Sequence, residues 1–142
     1  MIQAATEKTM TGAATTVGLV GIVDDDESIR NSISSLLRSA GFQTLVFDSA
    51  EAFLDSGRIH ETDRLVLDVR MPGLSGLELQ RRLHHMNSFI PIIFVTAHSD
   101  HDIERIALEQ GAIAFFGKPF NDEALLSSLS VAVDSGSNRL PL

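Results

Sequence analysis

The stretch that most restricts this chain is Leu65-Val66-Leu67-Asp68-Val69-Arg70-Met71-Pro72-Gly73-Leu74-Ser75-Gly76. An aliphatic run leads straight into a single Asp, and a Pro-Gly loop follows at once. An apolar run so short, closed by turn residues, reads as a strand buried on both faces. Strands of that kind belong to parallel sheets covered by helices on each side. Asp68 then stands at the carboxyl end of the strand, the edge of an open α/β sheet where ligands bind. A carboxylate on a dry strand is costly unless something pairs with it. Asp68 is therefore expected to be paired or functional, and the chain offers Asp24, Asp25, Asp26, Thr96 and Lys118 as company.

The rest of the chain repeats the pattern of a strand followed by a helix. After a Thr/Ala/Gly-rich tail at 1–16, Val17 to Val23 reads as a strand ending in Asp24-Asp25-Asp26. Ile29, Ile33, Leu36, Leu37 and Ala40 keep helical spacing over Glu27 to Ala40, and Gly41 closes that helix. Gln43 to Phe47 is the second strand. Asp48-Ser49-Ala50-Glu51 opens a short helix with capping-box chemistry, and Gly57 to Asp63 is a loop. Arg64 to Leu67 is the third strand, and Ser75 caps a helix to about Met86 with Leu77, Leu79 and Leu83 inward. Pro91 begins the fourth strand, which ends at Thr96; Ser99 and Asp102 signal the next helix start. Ala112 to Phe116 is the fifth strand, with Phe115 and Phe116 on opposite faces. Asn121 caps a last helix with Leu125, Leu126, Leu129 and Val133 as its apolar stripe, and 135–142 reads as a second tail. Alternating units of this length predict a doubly wound five-stranded parallel sheet in one domain over 17–134.

Composition narrows the function classes. The 142 residues suit one domain with a single core, and a net charge of -8 argues against gripping a phosphate backbone, so no nucleic-acid partner is expected. No cysteine is present, which excludes disulfides, thiolate metal sites and thiol redox chemistry. The tail lacks the apolar core of a secretory signal, and no run approaches the ~20 residues of a membrane span. A soluble cytoplasmic protein without membrane association is expected.

Placed at strand ends, Asp24, Asp25, Asp68, Thr96 and Lys118 converge along one sheet edge. Clustered carboxylates repel, and a hard divalent cation such as Mg²⁺ (or Mn²⁺) resolves the repulsion with oxygen ligands. Thr96 and Lys118 would then contact the oxygens of a phosphoryl group carried on Asp68. The chemistry that emerges is an aspartyl phosphate.

Those same residues resemble a known family. IVDDDE, LDVRMPGLSGLEL, the VTA around Thr96 and the GKPF around Lys118, in that order, resemble the receiver domain of two-component response regulators over about 17–134. The resemblance implies a flavodoxin-like (βα)5 fold and Asp68 as phosphoacceptor. It implies Mg²⁺ held by Asp25, Asp68 and the backbone carbonyl of Arg70, with Asp24 acting through water. Thr96 and Lys118 would contact the phosphoryl group, Lys118-Pro119 would be cis, and Thr96 and Phe115 would form the switch. Phe at 115 lacks the hydroxyl that many receivers carry there as Tyr. The implied partners are a sensor histidine kinase and either a second copy or a downstream protein on the surface of the fourth helix, fifth strand and fifth helix. Arg70, His98 and SAEAFL at 49–54 look most like the FixJ-type subgroup, whose members usually continue into a helix-turn-helix domain. No such output is expected within this chain.

Two competing readings remain at this stage. Asp24-Asp25-Asp26-Glu27-Ser28 imitates the nucleophile motif of haloacid-dehalogenase-like phosphatases, with Ser in place of the usual last residue. That reading leaves Asp68 idle and supplies no later acidic pair. The alternative is an interaction module that keeps the fold and signals without phosphorylation. His98, Asp100, His101 and Asp102 crowd a helix start and are expected to cap and solvate it rather than hold a metal; His84-His85 complement a helix end.

Overall fold

A computed structural model describes residues 18–97 and 100–139. Its elements are β1 (Leu19–Val23), α1 (Glu27–Ser39), β2 (Gln43–Phe47), α2 (Ala50–Asp55), β3 (Arg64–Leu67), α3 (Gly76–His85), β4 (Ile92–Thr96), α4 (His101–Glu109), β5 (Ala114–Gly117) and α5 (Asp122–Arg139). The strands form one parallel sheet in the order β2-β1-β3-β4-β5, the doubly wound sheet expected from the alternation and the flavodoxin-like arrangement that the resemblance implies.

Two apolar layers clamp the sheet. On one face Phe53 of α2, Leu79 and Leu83 of α3 and Ala107 of α4 pack on Val23, Leu65, Leu67 and Phe94. On the other, Ile33 and Leu37 of α1 and Leu125 and Leu129 of α5 cover Val20, Ile22, Val66, Ile93 and Val95. Alternate strand residues serve opposite layers because successive Cβ atoms point to opposite faces. Phe115 accordingly joins the first layer and Phe116 the second. Each fully buried aliphatic or Phe side chain contributes about 1.5–3 kcal/mol from area removed from water.

Helix starts follow side-chain chemistry. Asp26 caps α1, accepting from the amides of Ser28 at 2.9 Å and Ile29 at 3.3 Å. Ser75 and Glu78 make a reciprocal capping box on α3. Asn121 Oδ1 accepts the Ala124 amide at 2.9 Å. The start of α4 differs in detail from Ser99 and Asp102: Asp100 is the cap, accepting from the Ile103 amide at 2.9 Å. Ser49, not Asp48, caps α2 through the Ala52 amide, which puts Ala52 rather than Glu51 at the third helical position, so no box forms there.

Several boundaries move. A short 3₁₀ turn, Ile59–Glu61, interrupts the loop before β3. β5 begins at Ala114 rather than Ala112, because the Ala112 amide still bonds Ala107 at the end of α4. α5 runs on to Arg139, so 135–139 of the stretch read as a tail are helical, and 140–142 lie outside the described residues. Ser135-Gly136-Ser137-Asn138 contains no proline, a mid-helix Gly costs only about 1 kcal/mol, and Pro141 is the first residue that a helix interior excludes. The tail expected at 1–16, with Val17, lies outside the described residues, as do His98 and Ser99. Among the described residues no helix is long and apolar enough to cross a membrane.

Candidate functional site

The chain leaves β1 toward β2 on one side and returns to β3 on the other, so the ends of β1 and β3 flank the switch point of the sheet. Val23 is level with Leu67 there, and the Asp68 amide donates to the Val23 carbonyl at 3.0 Å. Asp24 and Asp68 therefore emerge side by side. Both are buried, at 3% and 6% exposure, whereas Asp25 is exposed. Asp24, Asp25 and Asp68 each offer a carboxylate oxygen, all within 4.8 Å of one another.

The two buried carboxylates are not equivalent. Asp24 is engaged through both oxygens, Oδ1 accepting the Asp26 amide at 2.9 Å and Oδ2 pairing with Lys118 Nζ at 2.9 Å. Its backbone carbonyl accepts from Arg30 Nη1 at 2.8 Å. Asp68, by contrast, has Oδ1 buried without a hydrogen-bond partner among the described residues. Burial is the largest influence raising its pKa, followed by the Asp24 charge. Lys118 and hydrogen bonds from the Thr96 side chain and Val69 amide act in the opposite direction. At the helix start, Asp26 is held below the usual carboxylate range, chiefly by its hydrogen bond with the Ser28 side chain.

The far side of the site comes from β4 and β5. Thr96 is fully buried at the end of β4, in register with Gly117. The Lys118 amide donates to the Thr96 carbonyl at 2.8 Å, and Lys118-Pro119 is cis. Phe115 is half-buried, its ring 5.9 Å from that of Phe94. Arg70 lies on the loop two residues beyond Asp68 with an exposed side chain.

Chemically, three carboxylates set against one ammonium leave a net negative site that a dication would neutralise. The all-oxygen donors and the unpartnered Asp68 Oδ1 fit a hard ion such as Mg²⁺. Of the other crowded polar stretch, Asp100 caps α4 and Asp102 pairs with Arg105 at 3.6 Å, whereas His98 is outside the described residues. His84 stacks on Phe89 with ring centroids 5.4 Å apart.

Sequence reasoning missed several groups that shape the site. Arg30 anchors the Asp24 carbonyl. A Cβ at Gly76 would collide with the Asp68 carbonyl oxygen and stand 3.0 Å from the Phe94 ring. Glu51 binds the loop after Asp68. The apolar-polar pattern is blind to all three; the second glycine of PGLSG was the available signal for a close backbone approach.

Comparison with known proteins bears on the fold and the family. Residues 20–130 match the response regulator receiver domain. Nodulation protein W of Bradyrhizobium diazoefficiens is 43% identical over 126 residues, which is 89% of this chain and 56% of that protein. The transcriptional regulatory protein FixJ of the same species is 41% identical over 119 residues, covering 84% of this chain and 58% of that one. The chain thus spans about half the length of the curated relatives it matches. Among solved structures, the response regulator StyR superposes with a TM-score of 0.80 at 44% identity, over 86% of this chain and 62% of that chain. FixJ-N does so with a TM-score of 0.74 at 37% identity, over 82% and 94%. These matches set aside the phosphatase reading of Asp24, and the chain belongs to the response regulator receiver domain family.

Proposed function

We propose that this receiver accepts a phosphoryl group on Asp68 from a phosphohistidine of a sensor histidine kinase. The observation that carries the reading is the asymmetry of the buried acids: both Asp24 oxygens are engaged, whereas Asp68 Oδ1 has no partner among the described residues. In the transfer, an Asp68 carboxylate oxygen attacks phosphorus. The P–N bond breaks, and its electron pair returns to the imidazole. Asp25, Asp68 and the Arg70 backbone carbonyl would hold Mg²⁺ or Mn²⁺, with Asp24 supporting it through water. Bound there, the ion neutralises charge on the phosphoryl oxygens. Thr96 and Lys118 contact those oxygens, Lys118 exchanging its bond with Asp24 for one with the phosphoryl group.

The same reading makes the acyl phosphate a bias on a pre-existing equilibrium. Thr96 moves toward the new oxygens, Phe115 follows into the space behind it, and the surface of α4, β5 and α5 changes. A second copy or a downstream protein would read that surface; a nucleic-acid partner does not suit the charge of -8. The proposed receiver unit is 17–134, working in the cytoplasm as a signal carrier rather than an enzyme acting on other molecules. It would also support its own dephosphorylation.

The test is intact mass after incubation with Mg²⁺ and acetyl phosphate. Wild type should gain one phosphoryl mass in a metal-dependent way, and Asp68→Asn should not. A gain that survives in Asp68→Asn sinks the assignment, and no gain with several donors favours a module that signals without phosphorylation.

A further inference from the structure

Glu51 stands in the first turn of α2, yet its carboxylate serves another part of the chain. Oε2 accepts the backbone N–H of Leu74 at 2.9 Å, across 23 residues of sequence. The same carboxylate lies against Gly73, whose φ is +80. A Cβ at Gly73 would stand 2.5 Å from Oε2 and 3.1 Å from Oε1, so glycine keeps both the turn and the approach of Glu51 open. Ser49 already caps α2 through Ala52, which leaves Glu51 free for this second task.

Gly73 and Leu74 belong to the segment that joins Asp68 to α3. Its far end is pinned separately, by the Gly76 amide on the Val69 carbonyl at 2.8 Å and by the Ser75–Glu78 box. Arg70 lies between Asp68 and the Glu51 contact. We propose that Glu51 is a positioning residue for the phosphoryl-acceptor site. By holding Gly73-Leu74, it fixes the path of the Asp68–Ser75 segment. It thereby sets the affinity for a divalent cation and the rate of phosphoryl transfer to Asp68. This rests on the aspartyl-phosphate reading above. The bond is exposed, so losing it loosens the segment without opening the core.

The experiment compares the full chain as wild type, Glu51→Gln and Glu51→Ala. Gln keeps an acceptor oxygen; Ala removes it. Three quantities are read: amide hydrogen exchange at Leu74, Mg²⁺ affinity by titration calorimetry, and the rate of mass gain with acetyl phosphate at subsaturating Mg²⁺. Glu51→Ala should speed exchange at Leu74 and weaken both Mg²⁺ affinity and rate by about threefold to tenfold, the worth of one such hydrogen bond. Glu51→Gln should recover most of each. Unchanged exchange at Leu74 in Glu51→Ala overturns the proposal. So does faster exchange with unaltered Mg²⁺ affinity and rate, or equal impairment of Gln and Ala, which would trace the effect to charge. If wild type never gains mass while Glu51→Ala still weakens Mg²⁺ binding, the phosphoryl reading fails and the positioning of the metal site stands.

Discussion

Lys118 Nζ pairs with Asp24 Oδ2 at 2.9 Å across 94 residues of sequence, and so ties the end of β5 to the end of β1 over the two strands between them. Both side chains are largely out of water, at 14% and 4% exposure. The pair holds the basic and acidic sides of the site at a fixed distance before any ligand arrives. It also keeps Asp24 occupied, which leaves Asp68 as the one of these two buried acids with an oxygen unpartnered among the described residues.

Removing the ammonium should expose the repulsion it offsets. Lys118→Met is expected to lose about 1–3 kcal/mol in urea unfolding at neutral pH without metal, because Asp24 is left buried beside Asp68. Excess Mg²⁺ should restore part of the loss by supplying positive charge to the same carboxylates. A variant as stable as wild type in both buffers would mean that the pair contributes no net stability.

Asp68 gives the opposite sign. Its pKa is raised, first by burial and then by the Asp24 charge. A carboxyl whose folded pKa lies above its unfolded value binds its proton more tightly when folded. Its cost to stability is therefore absent below the unfolded pKa, grows as pH rises toward the folded pKa, and is complete above it. Asp68→Asn should melt a few degrees higher than wild type at neutral pH without metal, of the order expected for about 1 kcal/mol. The difference should close as the pH falls below the ordinary carboxylate range. Mg²⁺ should raise the wild-type midpoint more than that of the variant. Melting curves that stay parallel at every pH would contradict the charge explanation.

Gly76 carries a steric prediction. A methyl at this position meets the Asp68 carbonyl oxygen and the Phe94 ring, both buried and unable to retreat. Gly76→Ala gains helix propensity in the first turn of α3, yet it is expected to lose about 2–4 kcal/mol through displaced backbone at Asp68. Denaturant midpoints and the Asp68 amide chemical shift check this together: a stable variant with an unmoved shift would show that the backbone yields cheaply.

Much of this candidate site was legible because its groups stand where apolar runs end. The strands ending near Asp24, Asp68, Thr96 and Lys118 were found from hydrophobic blocks and turn residues, and parallel topology does the rest by aligning their ends. What stayed hidden was chemistry between elements. Gln80 looks like an ordinary polar helix residue, yet it is buried, donating to the Ala107 carbonyl at 3.1 Å and accepting from Gln110 at 2.8 Å. Glu51 looked like part of a capping box because local spacing does not settle which of Asp48 and Ser49 is the cap; Ser49 is, and Glu51 instead accepts a bond from 23 residues away. The end of α5 was misplaced for a different reason: Ser, Gly and Asn weaken a helix without forbidding it.

Arg64 is the sharpest instance of hidden chemistry, and it yields a stability prediction remote from the site. It opens β3 at the edge of the sheet opposite Asp68, at only 4% exposure. Its Nε and Nη1 are buried without hydrogen-bond partners among the described residues. Burial pushes its pKa down, against the smaller upward pull of Asp63. The guanidinium lies 5.5 Å from the centroid of the Phe42 ring, a contact worth roughly 0.5–2 kcal/mol. Desolvating a cation costs several kcal/mol in real proteins, so the ring does not repay the burial. Arg64→Met, which keeps the length and apolar stem, is therefore expected to stabilise the domain by about 1–2 kcal/mol. The measurement is a shift of the urea midpoint to higher concentration with an unchanged slope. Mg²⁺ affinity should stay at the wild-type value because the carboxylate cluster lies at the other end of β3. A midpoint that falls instead would assign Phe42 and Asp63 a larger hold on the guanidinium than its desolvation costs.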